Sequence, residues 1–128
     1  WGRDNRGAML RIIGSAGDAA TRIENRLGEP AANPYLYFAA QIHAGLDGIA
    51  RGLVPPPATD SPYATTSKRI PGSLAQALDA LSTNPAMRDG FGADFISYFE
   101  RIKRGEIARW SAAVDKVEFD RREYFGRI

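Results

Sequence analysis

Between residues 8 and 27 two short runs of mixed apolar and charged residues flank a glycine-bearing turn, a pattern that restricts this part of the chain to a pair of strands. Residues 8–13 and 20–27 read as the strands, with Gly14-Ser-Ala-Gly17-Asp18 supplying the turn. Because side chains alternate across a strand, Arg22, Glu24 and Arg26 share one side, and Ile23, Asn25 and Leu27 share the other. In the first strand Arg11 stands with Met9 and Ile13, and Arg6 lies just upstream. Four guanidiniums thus gather around one carboxylate.

Such a face has two readings. Loose ion pairs on an exposed sheet contribute only about 0 to 1 kcal/mol each and need no further purpose. Alternatively the arginines hold anions, because a planar guanidinium fork matches phosphate and carboxylate oxygens bidentately, with Glu24 helping to bind a divalent cation. One carboxylate cannot hold Mg²⁺ or Mn²⁺ by itself, since these hard ions take several oxygen ligands. The other ligands must then lie elsewhere.

The rest of the chain reads as helices around one long connection. Asn33-Pro34 is an N-cap followed by proline at the first helical position, opening a helix over 34–51 whose wide apolar arc predicts burial. Its histidine, His43, the only one in the chain, reads as a packing residue and not a ligand. Gly45, Gly48 and Gly52 read as close packing and chain exit. Residues 52–72 are rich in Pro, Ser, Thr and Ala, with no sustained periodicity. So long a connection in a small domain reads either as a surface-wrapping segment or as disorder. Ser73 and Gln76 have capping-box spacing before a helix over 74–81, and Asn84-Pro85 opens another turn or two that Gly90 closes. A long amphipathic helix follows over 93–116, with Arg101, Lys103, Arg104 and Glu106 largely outside, and a last helical piece near 118–125 presents Phe119, Tyr124 and Phe125 for docking.

Composition narrows the function classes. At 128 residues with 44% hydrophobic residues the chain suits one modest domain with a core. The sequence pI is about 9.2 but the formal charge is only +2, and no basic block or basic helix face appears, so nucleic-acid binding is not expected. No apolar run approaches a membrane span, and there is no cysteine for disulfides or thiolate chemistry. The sequence shows no basic and apolar leader, so a reducing cytoplasm is the expected location. A chain that opens at Trp1 reads as part of a longer one.

Several segments together resemble a known family. Arg22-Ile-Glu-Asn-Arg26, Glu29-Pro-Ala-Ala-Asn-Pro-Tyr-Leu36 and Ala44-Gly-Leu-Asp-Gly-Ile49 are similar to the C-terminal catalytic signature of glutamine synthetases of the bacterial dodecameric type and their relatives. Asn5-Arg6 and the spacing from Arg11 to Glu24 resemble that family too, and looser agreement continues through Gly72 to Ala80, Tyr98 to Arg104 and Glu123-Tyr-Phe125. The resemblance implies a fold that is mainly α with a short N-terminal β-hairpin, the C-terminal fragment of the family's α+β catalytic domain.

It also implies an ATP-dependent ligase that activates the γ-carboxylate of glutamate as γ-glutamyl phosphate and amidates it with ammonia. A γ-glutamyl-amine ligase is the close variant. By resemblance Glu24 is a metal ligand for Mg²⁺ or Mn²⁺, Arg26 holds glutamate or its phosphorylated intermediate, and Arg6, Arg11 and Arg22 face the phosphates of ATP, with Arg6 and Arg26 acting in catalysis. The full-length form is expected to be a homo-oligomer. Three departures put the amine acceptor in doubt: Arg11-Ile-Ile13 where proline is usual after arginine and isoleucine, Asn25 in place of an apolar residue, and Leu27-Gly28 before Glu29. The N-terminal β-grasp domain and most of the catalytic sheet of such enzymes have no counterpart here, so this polypeptide alone is expected to be inactive. A non-enzymatic interaction module and a nucleotide-binding fragment are the rival classes.

Overall fold

The computed structural model describes residues 1–64 and 69–125. It divides into two compact units, Trp1–Ala32 with Gly52–Lys68, and Asn33–Arg51 with Arg69–Ile128.

The first unit is a three-stranded sheet. β2 (Leu10–Ile13) and β3 (Arg22–Asn25) pair antiparallel, with Arg11 opposite Glu24 and Ile13 opposite Arg22. Both strands are shorter than their sequence patterns, because pairing stops where the turn and the following Leu27-Gly28-Glu29-Pro30 begin. The turn forms as its composition predicts: Asp18 Oδ1 accepts from the Ala20 amide at 2.8 Å, and Thr21 Oγ1 donates to the Ser15 carbonyl at 2.7 Å. Gly14 has φ +87°, and a Cβ there would stand 2.6 Å from Thr21 Oγ1, so glycine is required on both grounds.

The predicted hairpin is incomplete, because β1 (Gly2–Arg3) adds a strand parallel to β2 with Gly2 opposite Arg11. Two residues carry no legible alternation, and parallel pairing depends on how the intervening loop folds back. Asn5 fixes that loop. Its Oδ1 accepts from the Gly7 amide at 3.0 Å, while its Nδ2 donates to the Thr59 and Asp60 carbonyls at 3.2 and 3.4 Å. The Trp1 indole donates to the Pro56 carbonyl at 2.6 Å, and the Thr59 amide to the Trp1 carbonyl at 2.9 Å. The start of the proline-rich connection therefore lies along the N-terminal segment, where it satisfies backbone groups that a sheet edge leaves open. Part of that connection, 65–68, lies outside the described residues.

The second unit contains α1 (Pro34–Ala50), α2 (Leu74–Thr83), α3 (Pro85–Phe91), α4 (Ala93–Ala112) and α5 (Lys116–Asp120), followed by a π-helical turn, Arg121–Phe125. The caps are those the sequence predicts: Asn33 accepts from the Tyr35 and Leu36 amides, Ser73 from Gln76 and Asn84 from Met87. α2 and α3 pack on α4, and α1 packs on α3. Among the described residues Leu78 and Ile96 are the large side chains fully enclosed. Arg104 joins α2 to α4 through Asp79 at 2.7 Å and Glu100 at 2.6 Å, and these partners raise its pKa, Asp79 most. No helix among the described residues is long and apolar enough to cross a membrane.

Five expectations fail here, the first being that Gly90 closes α3, which runs on to Phe91 and is capped by Gly92 at φ +86°. α1 is not buried: Tyr35, Phe38, Ile42, Leu46 and Ile49 are 57–82% exposed, because only the side carrying His43 meets α3. Gly45 and Gly48 have open space where a Cβ would stand, so they are not packing glycines in this unit. α4 stops at Ala112, short of residue 116, because the Lys116 ammonium turns back onto the carbonyls of Trp110, Ser111 and Ala113 at 2.5, 2.9 and 2.6 Å and closes the helix end. Glu106 is buried at 5% exposure instead of outside, since it shares the face of Ile96, Phe99 and Lys103 at helical spacing.

His43 packs as predicted. Its ring meets Phe91 edge-on at 5.1 Å, and a Cβ on Gly90 would stand 2.4 Å from its Cγ.

Candidate functional site

The sheet brings together three of the five residues singled out in the sequence. Arg11 and Glu24 are register partners across β2 and β3, and Arg11 Nη1 donates to Glu24 Oε2 at 3.1 Å. Arg26, just beyond β3, reaches back so that its Nη1 lies 3.4 Å from both Glu24 oxygens. Its Nε donates to the Arg6 carbonyl at 2.9 Å, which ties the residue after β3 to the turn between β1 and β2. Asn5, held against Thr59 and Asp60, secures that same turn, so the position of Arg6 follows from the loop contacts.

Arg6 is exposed at the tip of its turn, and only its carbonyl joins the cluster. Arg22 shares a face with Glu24 by alternation, yet its Nη1 donates to the Ala20 carbonyl at 3.0 Å in its own turn. Arg22 therefore lies outside the Glu24 cluster in this structure.

Asp4 is the member that sequence reasoning missed. It forms an ion pair with Arg11 Nη2 from a left-handed backbone, φ 45°, that aspartate tolerates better than most residues. Its place beside Arg11 follows from the parallel pairing of β1, so only an aspartate in a polar N-terminal segment was visible beforehand.

The electrostatics follow from this geometry. The hydrogen bond from Arg11, then the charge of Arg26, hold the Glu24 carboxyl below the usual carboxylate range despite partial desolvation. The same contacts raise Arg11, with Asp4 the largest cause and Glu24 next. Arg11 keeps a side chain only 15% exposed, and its Nε is buried with no hydrogen-bond partner. The Glu24 side chain is 38% exposed and that of Arg26 33%. Glu24 is thus an ionised carboxylate, open to solvent, with two guanidiniums fixed around it.

The described residues assemble no complete site for a divalent cation. Among the described residues no three His, Cys, Asp or Glu side chains come together as a metal could use. Glu24 is a single candidate ligand whose two oxygens already face arginines.

The chain is mainly helical, with an arginine-bearing strand pair near its start. Residues 1–122 match the sequence model of the catalytic domain of glutamine synthetase, and the chain belongs to that family. A γ-glutamylanilide synthase of an Acinetobacter species is 42% identical over the whole chain, which covers 28% of that relative. The glutamine synthetase of Thermus thermophilus is 36% identical over 94% of the chain and 29% of its own length. A γ-glutamylethanolamide synthetase of Streptomyces coelicolor is 32% identical over 94% of the chain and 26% of its own length. The chain thus spans less than a third of each of these curated relatives.

Proposed function

We propose that this chain supplies the phosphate-facing and carboxylate-facing arginines of an ATP-dependent ligase that amidates the γ-carboxylate of glutamate with ammonia. The observation that carries this reading is the convergence of Arg11 and Arg26 on Glu24. Guanidiniums held in advance by protein contacts need no reorganisation when negative charge develops, and that preorganisation is what phosphoryl transfer requires.

In this reading a γ-carboxylate oxygen of glutamate attacks the γ-phosphorus of ATP, forming γ-glutamyl phosphate and releasing ADP. The nitrogen of ammonia then attacks the acyl carbon, the phosphate leaves with the bonding pair, and a proton is lost from nitrogen. Arg26, freed from Glu24 as substrate binds, holds the glutamyl carboxylate or its phosphate. Arg11 fixes Glu24 across the sheet, and Arg6 and Arg22, both exposed, contribute charge toward the nucleotide phosphates. Mg²⁺ or Mn²⁺ would neutralise phosphate charge when bound, but the described residues do not assemble its ligand set. For the same reason the 128 residues by themselves are read as inactive.

A larger amine as acceptor is the second reading. The 42% identity to a γ-glutamylanilide synthase and the departures at Ile13, Asn25 and Gly28 favour it. The test is glutamate-dependent phosphate release from ATP, measured with ammonia and a panel of alkyl and aryl amines. It is run on the 128-residue chain and on a chain of the relatives' length that carries it. Turnover only in the longer chain, lost on Glu24→Ala, supports the proposal. Turnover indifferent to Glu24 and Arg26, or a cellular protein of 14.0 kDa with no longer form, overturns it.

A further inference from the structure

The one buried charged residue among those described, Glu106, lies in the helical unit and has no part in the Glu24 cluster. Both its oxygens accept from Lys103 Nζ, one turn away on α4, at 2.9 and 2.8 Å. The remaining donor comes from far along the chain: Tyr124 Oη donates to Glu106 Oε2 at 3.3 Å. Tyr124 reaches this point because a π-helical turn follows α5 and changes the side-chain direction relative to a continued α-helix. One turn further along α4, Arg109 Nη2 donates to Glu123 Oε1 at 2.5 Å.

The segment held by these bonds has little apolar anchorage. Phe119 is buried, whereas Val117 and Phe125 are 71% and 75% exposed. Segments with few buried apolar contacts lie at the low end of local stability, where opening does not require global unfolding. The phenol is a protonated donor, because burial raises its pKa first and the nearby carboxylates of Glu106, Asp120 and Glu123 raise it further.

We propose that residues 115–125 form a reversible strap on α4, with the Lys103–Glu106 pair as its catch and Tyr124 as the part that engages it. Docked, the strap covers the Glu106 carboxylate, whose side chain is 6% exposed. Released, it uncovers Phe119 beside the exposed Val117 and Phe125, giving an apolar surface that is hidden in the docked state.

Hydrogen exchange followed by mass spectrometry tests this by a double-mutant cycle. Tyr124→Phe keeps the ring and removes only the donor, and exchange over 115–125 is expected to rise about tenfold while α2 peptides are unchanged. In a Glu106→Leu background, which removes the acceptor at similar volume, Tyr124→Phe is expected to add almost nothing. Equal acceleration by Tyr124→Phe in both backgrounds, no acceleration in either, or a parallel rise in α2 would each overturn the strap.

Discussion

Each unit of this chain holds a glutamate against at least one cationic partner, and the two glutamates differ in almost everything that follows. Glu24 has a side chain 38% exposed and meets Arg11 across the sheet at 3.1 Å and Arg26, two residues along its own segment, at 3.4 Å. Glu106 has a side chain 6% exposed and meets a half-buried lysine at 2.8 Å and a phenol. An exposed pair in high dielectric contributes little to stability and can exchange partners at small cost. A buried one is costly to break, because removing one member strands the other away from water. The solvated cluster is therefore suited to meet a ligand, and the enclosed one to hold chain segments together.

That contrast is open to direct attack. In a ligase of the relatives' length, Glu24→Ala is expected to lower turnover by about a hundredfold or more, the usual cost of removing a charged group that organises a transition state. Its denaturation midpoint should barely move. A loss of stability without loss of turnover would reverse the assignment.

Glu106→Ala is expected to do the opposite. It strands a half-buried ammonium and opens a cavity, for a loss of about 3 kcal/mol read from the urea midpoint at constant slope, with the steady-state constants of the ligase unchanged. Equal loss of turnover would mean that the two clusters are coupled.

A smaller effect calibrates the helical unit. Gly90→Ala places a Cβ against the His43 ring and is expected to cost about 1 to 3 kcal/mol, partly restored by His43→Ala, whereas alanine at the open Gly45 should be neutral or mildly stabilising. Thermal unfolding of the four variants reads this out.

The smallest expected effect is on acid stability. The folded pKa of Glu24 lies below its ordinary value of about 4.3, so its contribution is fully present above that value and is lost as pH falls through the depressed folded one. Carboxyl-carbon NMR titration should place Glu24 low, and Arg11→Met should return it upward, since the Arg11 hydrogen bond is the largest cause of the shift. A titration unmoved by Arg11→Met would assign the shift to Arg26 instead.

Much of the candidate site was legible because it is local. Alternation placed Glu24 and Arg26 on one side of a strand, and the Gly14 turn set β2 against β3, which brings Arg11 opposite Glu24. Asp4 was not legible, because it depends on a two-residue parallel strand secured by Asn5 and by backbone more than fifty residues away. Arg22 illustrates the converse: alternation gives its face, but a nearby carbonyl decides where its guanidinium goes.

The sequence by itself determined the helix starts, from Asn33, Ser73 and Asn84 before their first turns, and the strand pair with its turn. These depend on interactions within a few residues, where type and spacing suffice. Only the tertiary structure decided that α1 keeps an exposed apolar side, that α4 ends where Lys116 folds back on it, and that Glu106 lies inside. A charged residue at a core-facing position reads as solvent-facing until its partners are known, and Tyr124 is 18 residues away from Glu106. Burial is a property of what packs against a side chain, and a periodic pattern records only which side is available to be packed.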